Sequence, residues 1–121
     1  MTSLPSQYQP LDHRAYPRRR LAARYAKTSS NHVYEVPSGA TARIDTMFFA
    51  SAHTGAQLLR VHHVRPGESV GADNALYYDL SIAAKTTTLV TATLWMVAGD
   101  RIVVSADHSD RIIVTIYGEE S

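Results

Sequence analysis

The sequence predicts an all-β protein, an antiparallel β-sandwich or jelly-roll-like barrel of about seven or eight strands with an extended N-terminal arm. Three observations predict it. After residue 30, short runs rich in β-branched and aromatic residues alternate with Gly, Pro, Asp and Asn clusters, at roughly ten-residue spacing. The last two runs repeat their apolar residues with a period of two. Nothing in that region has the apolar spacing of a helix.

The runs can be taken in order. Residues 32–36 alternate and end at Pro37-Ser38-Gly39. Residues 42–52 are apolar and aromatic, and His53-Thr54-Gly55 turns them. Residues 58–64 form a third strand, closed by Arg65-Pro66-Gly67. Gly71 and Asp73-Asn74 make residues 68–75 a loop. Residues 76–82 and 87–95 are the fourth and fifth strands, and Ala98-Gly99-Asp100 is a tight turn. Residues 102–106 and 111–117 form a closing hairpin around Asp107-His108-Ser109-Asp110.

The closing hairpin shows its two faces clearly. Ile102, Val104 and Ala106 oppose Arg101, Val103 and Ser105, while Ile112, Val114 and Ile116 oppose Ile113, Thr115 and Tyr117. The first set of each is core. The other face still carries Val103, Ile113 and Tyr117, more apolar surface than a solvent face requires, so a protein partner is expected to cover it.

At 121 residues and 45% apolar composition, the chain fits one domain near the lower size limit, where oligomerisation helps. With no cysteine, disulfides, Cys-ligated zinc and thiol nucleophiles are excluded. No apolar run approaches the ~20 residues of a membrane span, and the N-terminal residues lack a signal-peptide core, so no membrane partner is expected. Residues 1–30 hold six basic side chains against Asp12, a net of +5, and residues 31–121 hold six basic against ten acidic, a net of −4. The division expected is therefore a basic arm, residues 1–30, flexible or partly helical, and a β-sandwich domain, residues 31–121. Arg14, Arg18, Arg19, Arg20 and Arg24, with Tyr25 beside them, mix cation and aromatic ring. That mixture suits an acidic groove on a neighbouring protein. It also suits nucleic acid, which is not the expected partner.

The searches for chemistry return little. His62 and His63 are adjacent on a strand and point to opposite faces, and His53 and His108 fall in turns. Asp107-His108-Ser109-Asp110 holds the letters of a catalytic triad, but turn neighbours cannot take up triad geometry. Asp73 and Asp100 read as turn residues, and Asp79 as exposed or paired. No glycine loop is followed by Lys and a helix. No catalytic residue, metal or cofactor is therefore expected. Trp95 follows Leu94 at a strand end and is expected in the core; the alternative is a stacking platform with Tyr77 and Tyr78 for a glycan or receptor.

Residues 33–42 (Val-Tyr-Glu-Val-Pro-Ser-Gly-Ala-Thr-Ala), 66–71 (Pro-Gly-Glu-Ser-Val-Gly), 74–80 (Asn-Ala-Leu-Tyr-Tyr-Asp-Leu), Ile82-Ala83-Ala84, Leu94-Trp95, residues 98–104 and residues 114–118 occur in an order that resembles a small β-sandwich domain of tailed-bacteriophage structural proteins. The resemblance implies a non-enzymatic virion component, assembled in the bacterial host cytoplasm, that decorates or cements the capsid. Neck, tail and receptor-binding roles are the alternatives. It also implies other virion proteins as partners, namely capsid, neck or tail subunits, and copies of the chain itself.

Overall fold

The structure, a computed structural model, describes residues 19–121. Eight strands follow in chain order: β1 Arg19–Tyr25, β2 Asn31–Glu35, β3 Thr41–Ser51, β4 Gln57–Val64, β5 Ala75–Ile82, β6 Thr87–Val97, β7 Arg101–Ala106 and β8 Ile112–Glu120. One turn of 3-10 helix, Ala72–Asn74, precedes β5. Each of the seven strands expected after residue 30 is present, with ends shifted by three residues at most.

Pairing is nested. β4 pairs with β5, β3 with β6, β2 with β7 and β1 with β8, all antiparallel. Alternate pairs fall into opposite sheets, of order β1-β8-β3-β6 and β2-β7-β4-β5. This is one long hairpin rolled up, the strand order of a jelly roll. The β3–β8 and β4–β7 pairings join the nested pairs within each sheet. The sheets pack face to face as an open sandwich rather than a closed barrel.

Alternation sets the core. Ile44, Met47 and Phe49 of β3 meet Leu59 and Val61 of β4, with Met96, Ile102, Val104, Ile112, Val114 and Ile116 around them. At one end the buried carboxylate of Asp100 accepts hydrogen bonds from His63 Nε2 at 3.0 Å and from the Val97 amide at 3.1 Å. Asp100 is thus more than an ordinary turn residue, because it fixes the β6–β7 turn to β4. At the same end, near the start of β3, the Tyr34 hydroxyl donates to Glu120 at 2.6 Å. Burial, then this carboxylate, push the hydroxyl pKa above its ordinary value.

Two of the differences from expectation bear on the architecture. Residues 19–25 are a strand of the sandwich, not part of an arm. Leu21 and Ala22 pack against the core, and Ala26 is fully buried. The Ala26 amide then bonds Ile112 O, and Lys27 O accepts from the Ala106 amide, both at 2.8 Å, so the chain passes here from one sheet to the other. The boundary expected at residue 30 therefore cuts through the fold. The second difference is Val103, which is 1% exposed and cannot meet a partner. It sits in register with His62, and the loop before β5 is fastened over this face. Asn74 Oδ1 lies 3.0 Å from His62 Nδ1, and Arg101 donates to Glu68 O at 3.2 Å.

Two perturbations test this architecture. A Cβ at Gly118 would stand 2.0 Å from the Arg43 carbonyl oxygen of β3, whereas one at Gly39 meets nothing within 4 Å, although Gly39 has φ +79°. Gly118→Ala should cost about 3 kcal/mol or more by overpacking, and Gly39→Ala about 1–2 kcal/mol for its left-handed backbone. Urea unfolding compares them, and equal losses would contradict the close β3–β8 approach. Deleting residues 1–30 should unfold or aggregate the protein by baring the β8 edge. A soluble, folded protein with an unchanged urea midpoint would show that β1 is dispensable.

Candidate interaction surface

Because Met47 and Phe49 point inward, their neighbours on β3 point away from the core. Pairing then aligns outward residues in rows across the β1-β8-β3-β6 sheet. One row holds Tyr25, Ile113, Ala50 and Thr87; the next holds Ala23, Thr115, Phe48 and Leu89; a third holds Arg20, Tyr117, Thr46 and Thr91. Beyond a register shift in β3, Glu119, Arg43 and Trp95 make a fourth.

This face is apolar and open. Trp95 is 71% exposed, Leu89 55%, Val97 52%, Tyr25 48% and Ile113 38%. Such values on one sheet face exceed what scattered surface hydrophobics explain. Phe48 and Tyr117 meet edge to face at 5.6 Å, which stiffens the centre of the face. Arg43 is held by Asp45 at 2.8 Å and Glu119 at 3.1 Å, and its guanidinium lies 5.7 Å from the Trp95 ring. The hydrogen bond to Asp45 raises the Arg43 pKa above the ordinary arginine value. Trp95 therefore lies against a cation that is itself held by two carboxylates. At the Tyr25 end the face dips into a shallow depression of roughly 310 Å3, lined among others by Ala50, His53, Arg111 and Ile113.

Among the residues singled out from sequence, Ile113, Tyr117, Tyr25 and Arg20 come together on this face. Arg24 is exposed on β1, and Arg19 pairs with Glu120 at 3.1 Å. Arg14 and Arg18 lie outside the described residues. Val103 belongs to the other sheet and is buried. Sequence reading missed Phe48, Leu89 and Val97, and it placed Trp95 in the core. The signal was available for Trp95: Val90, Leu94 and Met96 share one parity, and Trp95 has the other.

The glycan platform does not assemble. Tyr77 packs against the core beside Phe49, Tyr78 lies under Arg60 on the opposite sheet, and Trp95 is on the β6 side of the first sheet. Around the closing hairpin turn, Asp107 accepts from the Leu58 amide at 3.0 Å, Ser109 Oγ from the Thr28 amide at 2.9 Å, and Lys27 pairs with Asp110. Those side chains tie strands together. Among the described residues, no three His, Asp or Glu side chains gather as a metal-binding group. Compared with known proteins, the chain matches no family model, no curated protein and no solved structure.

The exposure of Trp95 has a direct test. Trp95→Ala should cost no more than about 1 kcal/mol, the scale of an exposed cation–π contact, whereas Phe49→Ala should cost about 3–5 kcal/mol. Urea unfolding followed by circular dichroism reads both. Trp95 is the one tryptophan in the chain, so iodide should quench the native fluorescence readily. A shielded tryptophan, or a cost matching Phe49→Ala, would place the side chain inside.

Proposed function

We propose that this chain is a non-enzymatic structural protein of a tailed-bacteriophage virion, decorating or cementing the capsid, with neck or tail as the other stations. The observation that carries the reading is the outer face of the β1-β8-β3-β6 sheet, where Tyr25, Ile113, Phe48, Tyr117, Leu89 and Trp95 share one open surface. Burying such a face releases water at about 25 cal/mol per Å2 and needs no chemistry from the partner beyond shape. Exposed Arg20 and Arg24 on the adjoining edge favour an acidic neighbour. The jelly-roll order supports the reading, since it recurs in viral capsid domains. It recurs in lectin and cupin domains as well, so the fold alone does not decide. The scattered positions of Tyr77, Tyr78 and Trp95 favour assembly over glycan stacking.

On a repeating shell each copy needs only modest affinity, because many weak contacts act together. The face supplies adhesion, and the basic edge supplies orientation.

Quantitative mass spectrometry of purified particles tests the proposal. The chain should be present at a fixed copy number per particle. Ile113→Glu, which puts a charge at the Tyr25 end of the face, should fold with an unchanged urea midpoint and be lost from particles. Absence of the chain from particles, or Ile113→Glu at full occupancy, would overturn it.

A further inference from the structure

The sandwich has four sheet edges, and three of them carry features that discourage further pairing. β1 presents Arg19, Arg20 and Arg24. β2 is five residues long. β5 is irregular: Asp79 has φ 58°, and the register against β4 shifts twice. Like charges, short length and irregularity are the usual means by which natural proteins keep edges from pairing. β6 is neither charged nor short, and its register against β3 shifts once. It is eleven residues long, carries no charge and no proline, and pairs on one side with β3. Leu89, Trp95 and Val97, the three most exposed large apolar side chains of the sheet, all stand on it.

We infer that β6 pairs antiparallel with β6 of a second copy across a two-fold axis, joining two four-stranded sheets into one. The strand is complementary to itself. The register shift opposite Ile44 and Thr46 falls between Leu94 and Thr91, near the middle of β6. A two-fold axis at the strand's midpoint sets residues 87–91 of one copy against residues 93–97 of the other. Leu89 then faces Trp95, Thr91 faces Thr93, and Thr87 faces Val97. Outward residues meet outward residues, so the apolar face continues without a step across the axis. No like charges meet, because β6 has none. A second copy is favoured over a charged peptide strand for the same reason: β6 offers no charge to recognise one. An uncharged β-branched strand with a matching Leu–Trp pair is what β6 itself supplies. This pairing stands independently of the virion reading, since it uses the edge and not the adhesion of the face to other proteins.

The cysteine-free sequence makes the register testable. The double variant Leu89→Cys/Trp95→Cys should oxidise to a covalent dimer. Each single variant should stay monomeric on denaturing gels, because its two thiols lie about 20 Å apart across the axis. In parallel, sedimentation should find the unmodified chain dimeric. Thr91→Lys/Thr93→Lys should weaken that dimer at least about tenfold by placing lysines opposite one another, with its circular dichroism unchanged. Ile113→Glu should leave the dimer intact, which separates this inference from the particle experiment. A monomeric unmodified chain at high concentration, or crosslinking of either single variant as efficient as that of the double variant, would overturn the inference. So would cysteine capture of a different protein in place of a second copy.

Discussion

Everything in this molecule hangs on β8 reaching back to lie between β1 and β3. The two ends of the described chain meet there, and the nested pairing closes only when they do. The contact is tight: β8 crosses the register shift of β3 at Gly118, where the Arg43 carbonyl leaves no space for a side chain. Once β8 is seated, the parity of every strand in that sheet is set. Ile112, Val114 and Ile116 must point into the core beside Met47 and Phe49, and Ile113 and Tyr117 must face out. The apolar outer face is therefore not a packing accident. It is forced outward by a core that the alternate residues already fill.

The two sheets have unequal outer surfaces, and the difference sets the proposed contact face apart. On the β2-β7-β4-β5 sheet, Val64, Val103 and His62 are buried by the chain itself. Further along the same sheet, Arg60 covers Tyr78 at 4.0 Å and pairs with Asp79 at 2.8 Å. Part of the apolar surface there is covered by intramolecular contacts, although Leu58, Leu76 and Tyr78 stay exposed. The β1-β8-β3-β6 sheet has no such cover among the described residues. Its polar anchor, Arg43 with Asp45 and Glu119, lies against Trp95 without hiding it. Tryptophan brings a large apolar area with few rotatable bonds, so an exposed one suits a contact surface.

Alternation and turn residues made seven strands readable from sequence, because both are local properties. All but one of the misses share a physical cause: they depend on contacts between distant segments. β1 contributes only Leu21 and Ala22 to the core, with Ala26 just after it, too few for a pattern, and it is held by backbone bonds to β8. Val103 has outward parity, yet it is buried because a loop crosses it, and no periodicity reports a crossing loop. Ile113 and Tyr117 were legible as members of an apolar outer face because β8 alone shows the pattern. Their neighbours Phe48 and Leu89 became visible only when register placed three strands side by side. Trp95 is the one miss that local reasoning could have avoided, since its parity was in the sequence.

Face and edge are different kinds of adhesion, and their combination has a geometric consequence. An apolar face is non-directional, holding a neighbour without fixing its rotation. A strand edge is directional, since its backbone donors and acceptors accept one register and one orientation. The two lie at right angles on the same sheet: the edge extends the sheet sideways, and the face presses outward. A copy held by its β6 edge keeps its whole outer face available and doubles it in one continuous surface. Two weak adhesions then act on one underlying partner with the relative orientation already fixed, which raises their combined strength without any new contact. The neutral strand at one edge and the arginines at the other thus do opposite jobs: one invites a second copy to pair, and the other refuses it.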